Sequence, residues 1–249
     1  MSKIFQTSRG LLKITQSCRG LAMTIPARRR LGEIVQQGLV PEFAPFWQPI
    51  RGMANQAVRF KKAPIDYPLL TGSDHWRRKK RTVFRRMDTN GDGFITKEDF
   101  ETSARRVAEY LKLNDVQAEH ILNQRLAIWE LVSNATQDTT KVSEEEFVGS
   151  SVPIVNQSYY RQDFLPMWVS VEFNTTDIDG DGLISKEEHK AFFYSVNVPV
   201  EESKNVFDAM DSNKDGFICI EEFAHASAEF FLTEEPDNPF NEFFGPLVD

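Results

Sequence analysis

The chain has 249 residues, room for one large domain or a domain with an extension, and 41% hydrophobic residues, including 20 Phe, supply a sizeable core. No apolar run approaches the roughly 18 residues of a membrane-spanning helix, and two distant cysteines, Cys18 and Cys219, exclude a disulfide scaffold and favour a reducing compartment. The net charge of -8 hides a division: residues 1–74 carry eleven basic against four acidic side chains, whereas residues 75–249 carry eighteen against thirty-three and stand at -15, the wrong sign for a nucleic-acid partner.

The chain opens on a basic leader. Residues Met1 to Gly32 hold Lys3, Arg9, Lys13, Arg19, Arg28, Arg29 and Arg30 and no acidic residue, with Ile4, Phe5, Leu11 and Leu12 near one helical face. This is the composition of a mitochondrial transit peptide; the plain alternatives are an unstructured basic tail or a start site placed too far upstream. Lys13 interrupts the apolar core that a secretory signal needs. From Glu33 to Gly72, Pro41, Pro45, Pro49, Pro64 and Pro68 punctuate a segment without sustained period, which reads as a linker with one short helix about Gly52 to Arg59. Residues 1–72 are therefore expected to form a mostly irregular N-terminal extension, and residues 73–249 the folded body.

The body repeats one template. Asp88–Asp99, Asp177–Glu188 and Asp211–Glu222 each place oxygen-bearing side chains at loop positions 1, 3 and 5, Gly at 6, Ile at 8 and a carboxylate at 12. This is the EF-hand calcium loop. The spacing follows from coordination chemistry: calcium takes about 6–8 oxygens, and alternate residues of a tightly curled loop point inward. The expected ligands are Asp88, Asn90, Asp92 and Asp99 in the first loop, Asp177, Asp179, Asp181 and Glu188 in the next, and Asp211, Asn213, Asp215 and Glu222 in the last. The backbone carbonyls of Phe94, Leu183 and Phe217 stand at position 7 of the same loops. Gly93, Gly182 and Gly216 lie where the chain must turn sharply, and Ile95, Ile184 and Ile218 are placed to form a short strand bridge to a partner loop. One match alone is ordinary turn chemistry, but three, each between helical apolar patterns, are not three solvated turns.

Because these units pair, a fourth is expected between Leu111 and Phe164. Residues 135–146 align through Val142 at position 8 and Glu146 at position 12, but Ala135 replaces the first ligand and Thr140 the turn glycine, so this second loop is predicted to hold no metal. The apolar spacing predicts helices on both sides of the loops: Trp76, Val83, Phe84 and Met87 before the first, Phe100, Ala104, Val107 and Leu111 after it. The basic run Arg77 to Arg86 reads as a solvated helix face. Asp99 is one methylene shorter than glutamate, so the first of three calcium sites is expected to suit magnesium best, and the Asp177 loop, with four carboxylates, to bind calcium most tightly.

Metal loops in first, third and fourth position with a degenerate second resemble the invertebrate sarcoplasmic calcium-binding proteins. Ser73-Asp-His-Trp76, Ala118-Glu-His120 followed by Trp129, and Phe243-Phe-Gly-Pro-Leu-Val248 are also similar to that family. The resemblance covers about Ser73 to Asp249 and implies an all-α, compact four-EF-hand globule of two pairs, acting as a cytoplasmic calcium and magnesium buffer. Luciferin-binding proteins and calcium-triggered photoproteins look like cousins, although their tyrosine before a Gly-rich, Pro-terminated tail is not seen here. The body has only Met87, Met167 and Met210, where a sensor exposes a Met-rich groove. The readings are therefore a buffer first, then a sensor, then a carrier with Trp76, Trp129 and Trp168 around a cavity. Four scattered histidines and no nucleophile elbow or phosphate loop argue against an enzyme. No protein partner is identified, and a monomer is expected.

Overall fold

A computed structural model describes residues 58–134 and 140–249. The leader, most of the short helix expected about Gly52 to Arg59 and the start of the second loop lie outside the described residues. Nine α-helices and four short strands follow in chain order among those described. The first hand is α1 (Asp74–Met87), β1 (Phe94–Thr96) and α2 (Lys97–Leu111); the second is α3 (Asp115–Asn134), β2 (Lys141–Ser143), α4 (Glu144–Gly149) and α5 (Ser151–Val155). The third is α6 (Leu165–Thr176), β3 (Leu183–Ile184) and α7 (Lys186–Ser195), and the fourth α8 (Ser203–Met210), β4 (Ile218–Cys219) and α9 (Ile220–Leu232). The all-α class expected from the sequence holds.

Hands pair through their strands. Ile95 lies opposite Val142, and Ile184 opposite Ile218, so the position-8 residues meet as the spacing predicted, including that of the degenerate loop. Each exit helix begins where the strand ends, because the position-9 side chain and the position-12 carboxylate cap each other's amides: Thr96 with Asp99, Ser143 with Glu146, Ser185 with Glu188, Cys219 with Glu222. The two pairs are bonded together as well. Ser103 of α2 donates to Ser195 of α7 (3.2 Å), and Asn197 Nδ2 donates to the first-loop carbonyl of Thr89 (2.8 Å).

Helices of the second hand depart from the pattern of the others. Its exit helix stops at Gly149 and restarts at Ser151, since Pro153 has no amide to give the Gly149 carbonyl and its ring crowds that turn. A π-helical turn at Tyr160–Phe164 then runs into α6, where Leu165 donates to the Tyr160 carbonyl and Pro166 again withholds an amide. That turn stacks Tyr160 on Phe164 (5.2 Å between ring centroids) and Phe164 on Trp168 (6.3 Å), an aromatic ladder at four-residue spacing.

One aromatic core holds the globule, with Phe173, Phe193, Phe207 and Phe230 all fully buried. Trp76 is buried too, its indole donating to the Phe231 carbonyl (3.0 Å). Phe243 and Phe244 of the C-terminal tail lie within that core, against Phe223, Phe230 and Phe231.

Two readings of the sequence need correction. Residues 64–72, assigned to the irregular extension, pack on the body. Tyr67 and Leu70 are buried, and the fully buried Arg161 donates to the carbonyls of Pro64, Tyr67 and Pro68. Glu234 accepts from the amides of Thr71, Gly72 and Ser73. The basic run Arg77 to Arg86 is not a solvated face either. Lys79 is buried and donates to the Thr233 carbonyl (2.9 Å), Arg78 donates to Val248 and Leu247, and Arg86 to Phe244 and Pro246. The tail has no helix or sheet to occupy its carbonyls, and the cations of α1 supply the missing donors.

Candidate functional site

Each of the three metal loops curls around its own side-chain oxygens. The position-1 aspartate accepts from the amide of the position-6 glycine: Asp88 from Gly93 (2.9 Å), Asp177 from Gly182 (3.0 Å), Asp211 from Gly216 (3.0 Å). The position-3 side chain accepts from position 5, Asn90 from Asp92 (2.9 Å), Asp179 from Asp181 (3.1 Å) and Asn213 from Asp215 (2.9 Å). Position 5 in turn accepts from the amide of position 7, at 2.9 Å for Phe94, Leu183 and Phe217 alike. The turn requires φ of 87° at Gly93, 88° at Gly182 and 91° at Gly216, values a side chain would strain.

The position-12 carboxylates reach back across their loops. Asp99 accepts from the Thr89 amide (2.9 Å), Glu188 from Ile178 (2.7 Å) and Glu222 from Ser212 (2.9 Å). All three are buried, as are Asp88, Asp177 and Asp211. In the third hand Asp177, Asp179 and Glu188 bring carboxylate oxygens within 4.8 Å of one another. Among the described residues no such triple of carboxylates forms in the other two loops, where an asparagine holds position 3. Burial, and beyond it the charges of Glu188 and Asp181, pushes the Asp177 carboxyl up, against the amides of Gly182 and Gly180. Glu222 is also penalised by burial, but donors on Cys219, Ser212 and Asn213 outweigh that and hold it low. Crowded, desolvated carboxylates with oxygen-only surroundings fit a hard cation, which would relieve their repulsion.

The second loop has β2 and the Ser143–Glu146 cap, as expected of a hand that keeps its frame; Ala135 lies outside the described residues. Glu146 instead lines a cavity of about 130 Å³. One wall is the ladder Tyr160, Phe164 and Trp168; another is Lys80, Val83 and Met87 of α1; the broken α4–α5 segment closes a third. Of the three tryptophans the sequence offered for a cavity, only Trp168 lines it. Trp76 is in the core and Trp129 packs on Phe100 (5.9 Å). Lys80, which sequence reasoning passed over as part of a solvated face, is buried there. Its ammonium lies 4.6 Å from the Phe147 ring centroid and 5.3 Å from that of Phe231. Burial lowers its pKa to about 8.

The family model described as EF hand matches residues 81–102, 171–193 and 204–225, which hold the first, third and fourth loops. A luciferin-binding protein of Renilla reniformis is 30% identical over 173 residues, 69% of this chain and 94% of that protein. A sarcoplasmic calcium-binding protein of Perinereis vancaurica tetradentata is 30% identical over 179 residues, 71% of this chain and 100% of that protein. Among solved structures, the calcium-loaded apo form of the coelenterazine-binding protein from Renilla muelleri superposes with a TM-score of 0.62 at 28% identity, covering 70% of this chain and 99% of that one.

Proposed function

The chain belongs to the EF-hand family, among the sarcoplasmic calcium-binding and luciferin-binding proteins, and we propose that it is an intracellular calcium and magnesium buffer. The side chains at positions 1, 3, 5 and 12 of each loop would hold the ion, with the position-7 carbonyls of Phe94, Leu183 and Phe217 completing the oxygen set. The observation that carries this reading is the shared curl of the three loops, whose amides already order the ligand oxygens. Bound calcium supplies positive charge to carboxylates that otherwise repel one another.

A buffer stays closed when it fills. Phe243 and Phe244 fill the core, and Arg78 and Arg86 pin the tail that carries them, so the apolar interior is held shut. Magnesium is expected to occupy the first loop, where Asp99 is the shorter arm, and calcium to prefer the loop of Asp177. The compartment follows from the leader: cytoplasmic if it is a plain tail, mitochondrial if it is a transit peptide.

Titration of the full chain with calcium in millimolar magnesium tests the buffer, with heat and a hydrophobic-surface dye read together. Three binding events with little dye response are expected; a large dye increase would identify a sensor instead. Asp99→Glu should raise calcium preference at the first loop. Site-resolved titration showing that loop already the most calcium-selective would overturn the ranking.

The cavity beneath the second hand favours a further reading, in which the same protein also carries a small molecule there. Its 130 Å³ is close to the roughly 150 Å³ of an engineered apolar cavity that admits benzene.

A further inference from the structure

We propose that the cavity under the second hand takes a small aromatic anion, one or two fused rings bearing a carboxylate or similar acid, with Lys80 as the group that recognises its charge. The inference rests on the carrier reading of that cavity and names the ligand class for it.

Two features of the walls point the same way. The ladder of Tyr160, Phe164 and Trp168 presents stacked rings with shallow interplanar angles, 26° and 18°, a surface on which a flat ring packs well. The cavity size sets the scale at a ring or two rather than a long chain. Among the described residues that line the cavity there is one cation. Lys80 keeps only 8% of its surface, rests against two phenyl faces, and has no hydrogen-bond acceptor or carboxylate partner among the described residues.

The Lys80 Nζ is not among the fully buried atoms left without a partner, so it keeps contact with solvent at the cavity that Lys80 lines, and a cation so placed among aromatic rings is one that native proteins usually pair. Its neighbour on α1 shows the ordinary solution in its contacts: burial lowers the Lys79 pKa to about 8 as well, but Lys79 donates to the Thr233 carbonyl, and the charges of Glu229 and Glu234 offset part of the burial. Lys80 has no equivalent. The one carboxylate among the described residues of the cavity wall, Glu146, is turned to the loop, where its Oε2 accepts from the Ser143 hydroxyl (2.9 Å) and amide (3.3 Å). A ligand acid seated against the ladder would supply the missing counter-charge. The second hand, with its first ligand and turn glycine replaced, lends its exit helices to this wall, with Ser150, Ser151, Ile154 and Val155 around the break after Gly149.

The test compares 2-naphthoate with its uncharged amide, 2-naphthamide, by calorimetric titration of the calcium-loaded full chain. Naphthoate should bind at least tenfold more tightly. Lys80→Met should bring naphthoate down to the affinity of the amide while leaving the amide unchanged, and Lys80→Arg should retain the preference. Equal binding of the two probes, or a preference that survives Lys80→Met, would overturn the role of Lys80 while sparing the cavity as a ligand site. Failure of both probes to bind the unaltered protein would overturn the cavity reading together with it.

Discussion

Replacing Lys80 by methionine should make the metal-free protein more stable. The methionine keeps an unbranched chain of similar length between Phe147 and Phe231, and its thioether packs well on aromatic edges. What disappears is a desolvated charge. Burial takes the Lys80 pKa from 10.5 to about 8, which at 1.36 kcal/mol per unit is a cost of about 3 kcal/mol. Loss of the two cation–π contacts offsets about 1–2 kcal/mol of that, leaving a gain of about 1–2 kcal/mol. For a body of this size that is an increase in Tm of roughly 2–8 °C. The gain has a pH signature. Below pH 8 the lysine is charged in both folded and unfolded chains, and its burial costs in full. Between pH 8 and 10.5 the folded form sheds its proton while the unfolded form keeps it, so the unaltered protein regains stability as pH rises and the difference closes. Urea unfolding of both proteins in chelator at pH 7, 9 and 10 reads this directly. A variant less stable at pH 7, or an advantage that does not shrink on the alkaline side, would refute the picture of an unpaired buried charge.

Gly245 adopts φ of 82°, and a Cβ there would lie 2.8 Å from Val198 Cγ1. Gly245→Ala should therefore cost about 2 kcal/mol, visible as a lower calorimetric Tm; an unchanged Tm would mean that the tail is not held as described. Phe244→Ala removes a ring buried to 3% exposure and should cost about 3–5 kcal/mol with a rise in dye binding in the resting protein. Glu234 works against its own partial burial, but the donors of Thr71 and Ser73 hold its pKa at about 2. Its folded pKa is depressed, so its contribution is full above about pH 4.5 and fades as pH falls toward 2. Glu234→Gln should cost about 1–2 kcal/mol at pH 7 and much less at pH 2.5, by thermal melts in chelator. Equal losses at both pH values would count against the carboxylate as the clamp.

Local chemistry made the loops legible in the sequence. Coordination fixes oxygen donors at set intervals, and the glycines and position-8 residues follow from the same curled backbone, so even Val142 of the degenerate loop could be paired in advance with Ile95. The cavity was hidden because it depends on distant segments meeting. Two signals were present nonetheless. Lys80 falls on the stripe of Trp76, Val83 and Met87, at i+4 from the tryptophan and three before the valine, so a basic run could not be wholly solvated. Pro153 falls where the second exit helix should continue. The role of Arg78 and Arg86 left less trace, since tail carbonyls have no side-chain signature and pair with whatever donor the fold brings near. Residues 64–72 misled for a related reason: prolines marked them as linker, whereas Arg161 gathers the very carbonyls that such a segment leaves unpaired.

The pinning of the tail has a consequence for how the chain is made. Arg86 of α1 meets its partner on Phe244 158 positions later, and Arg78 meets Asp249 171 positions later. These are among the longest loops the chain can close, and contacts of that reach form late in folding. A nascent chain emerging from the ribosome presents α1 early, with Trp76 and its cationic side chains still without the carbonyls and rings that cover them. Loops three and four, 34 residues apart, close over a far shorter span. The hand that is synthesised first is thus the last to be completed.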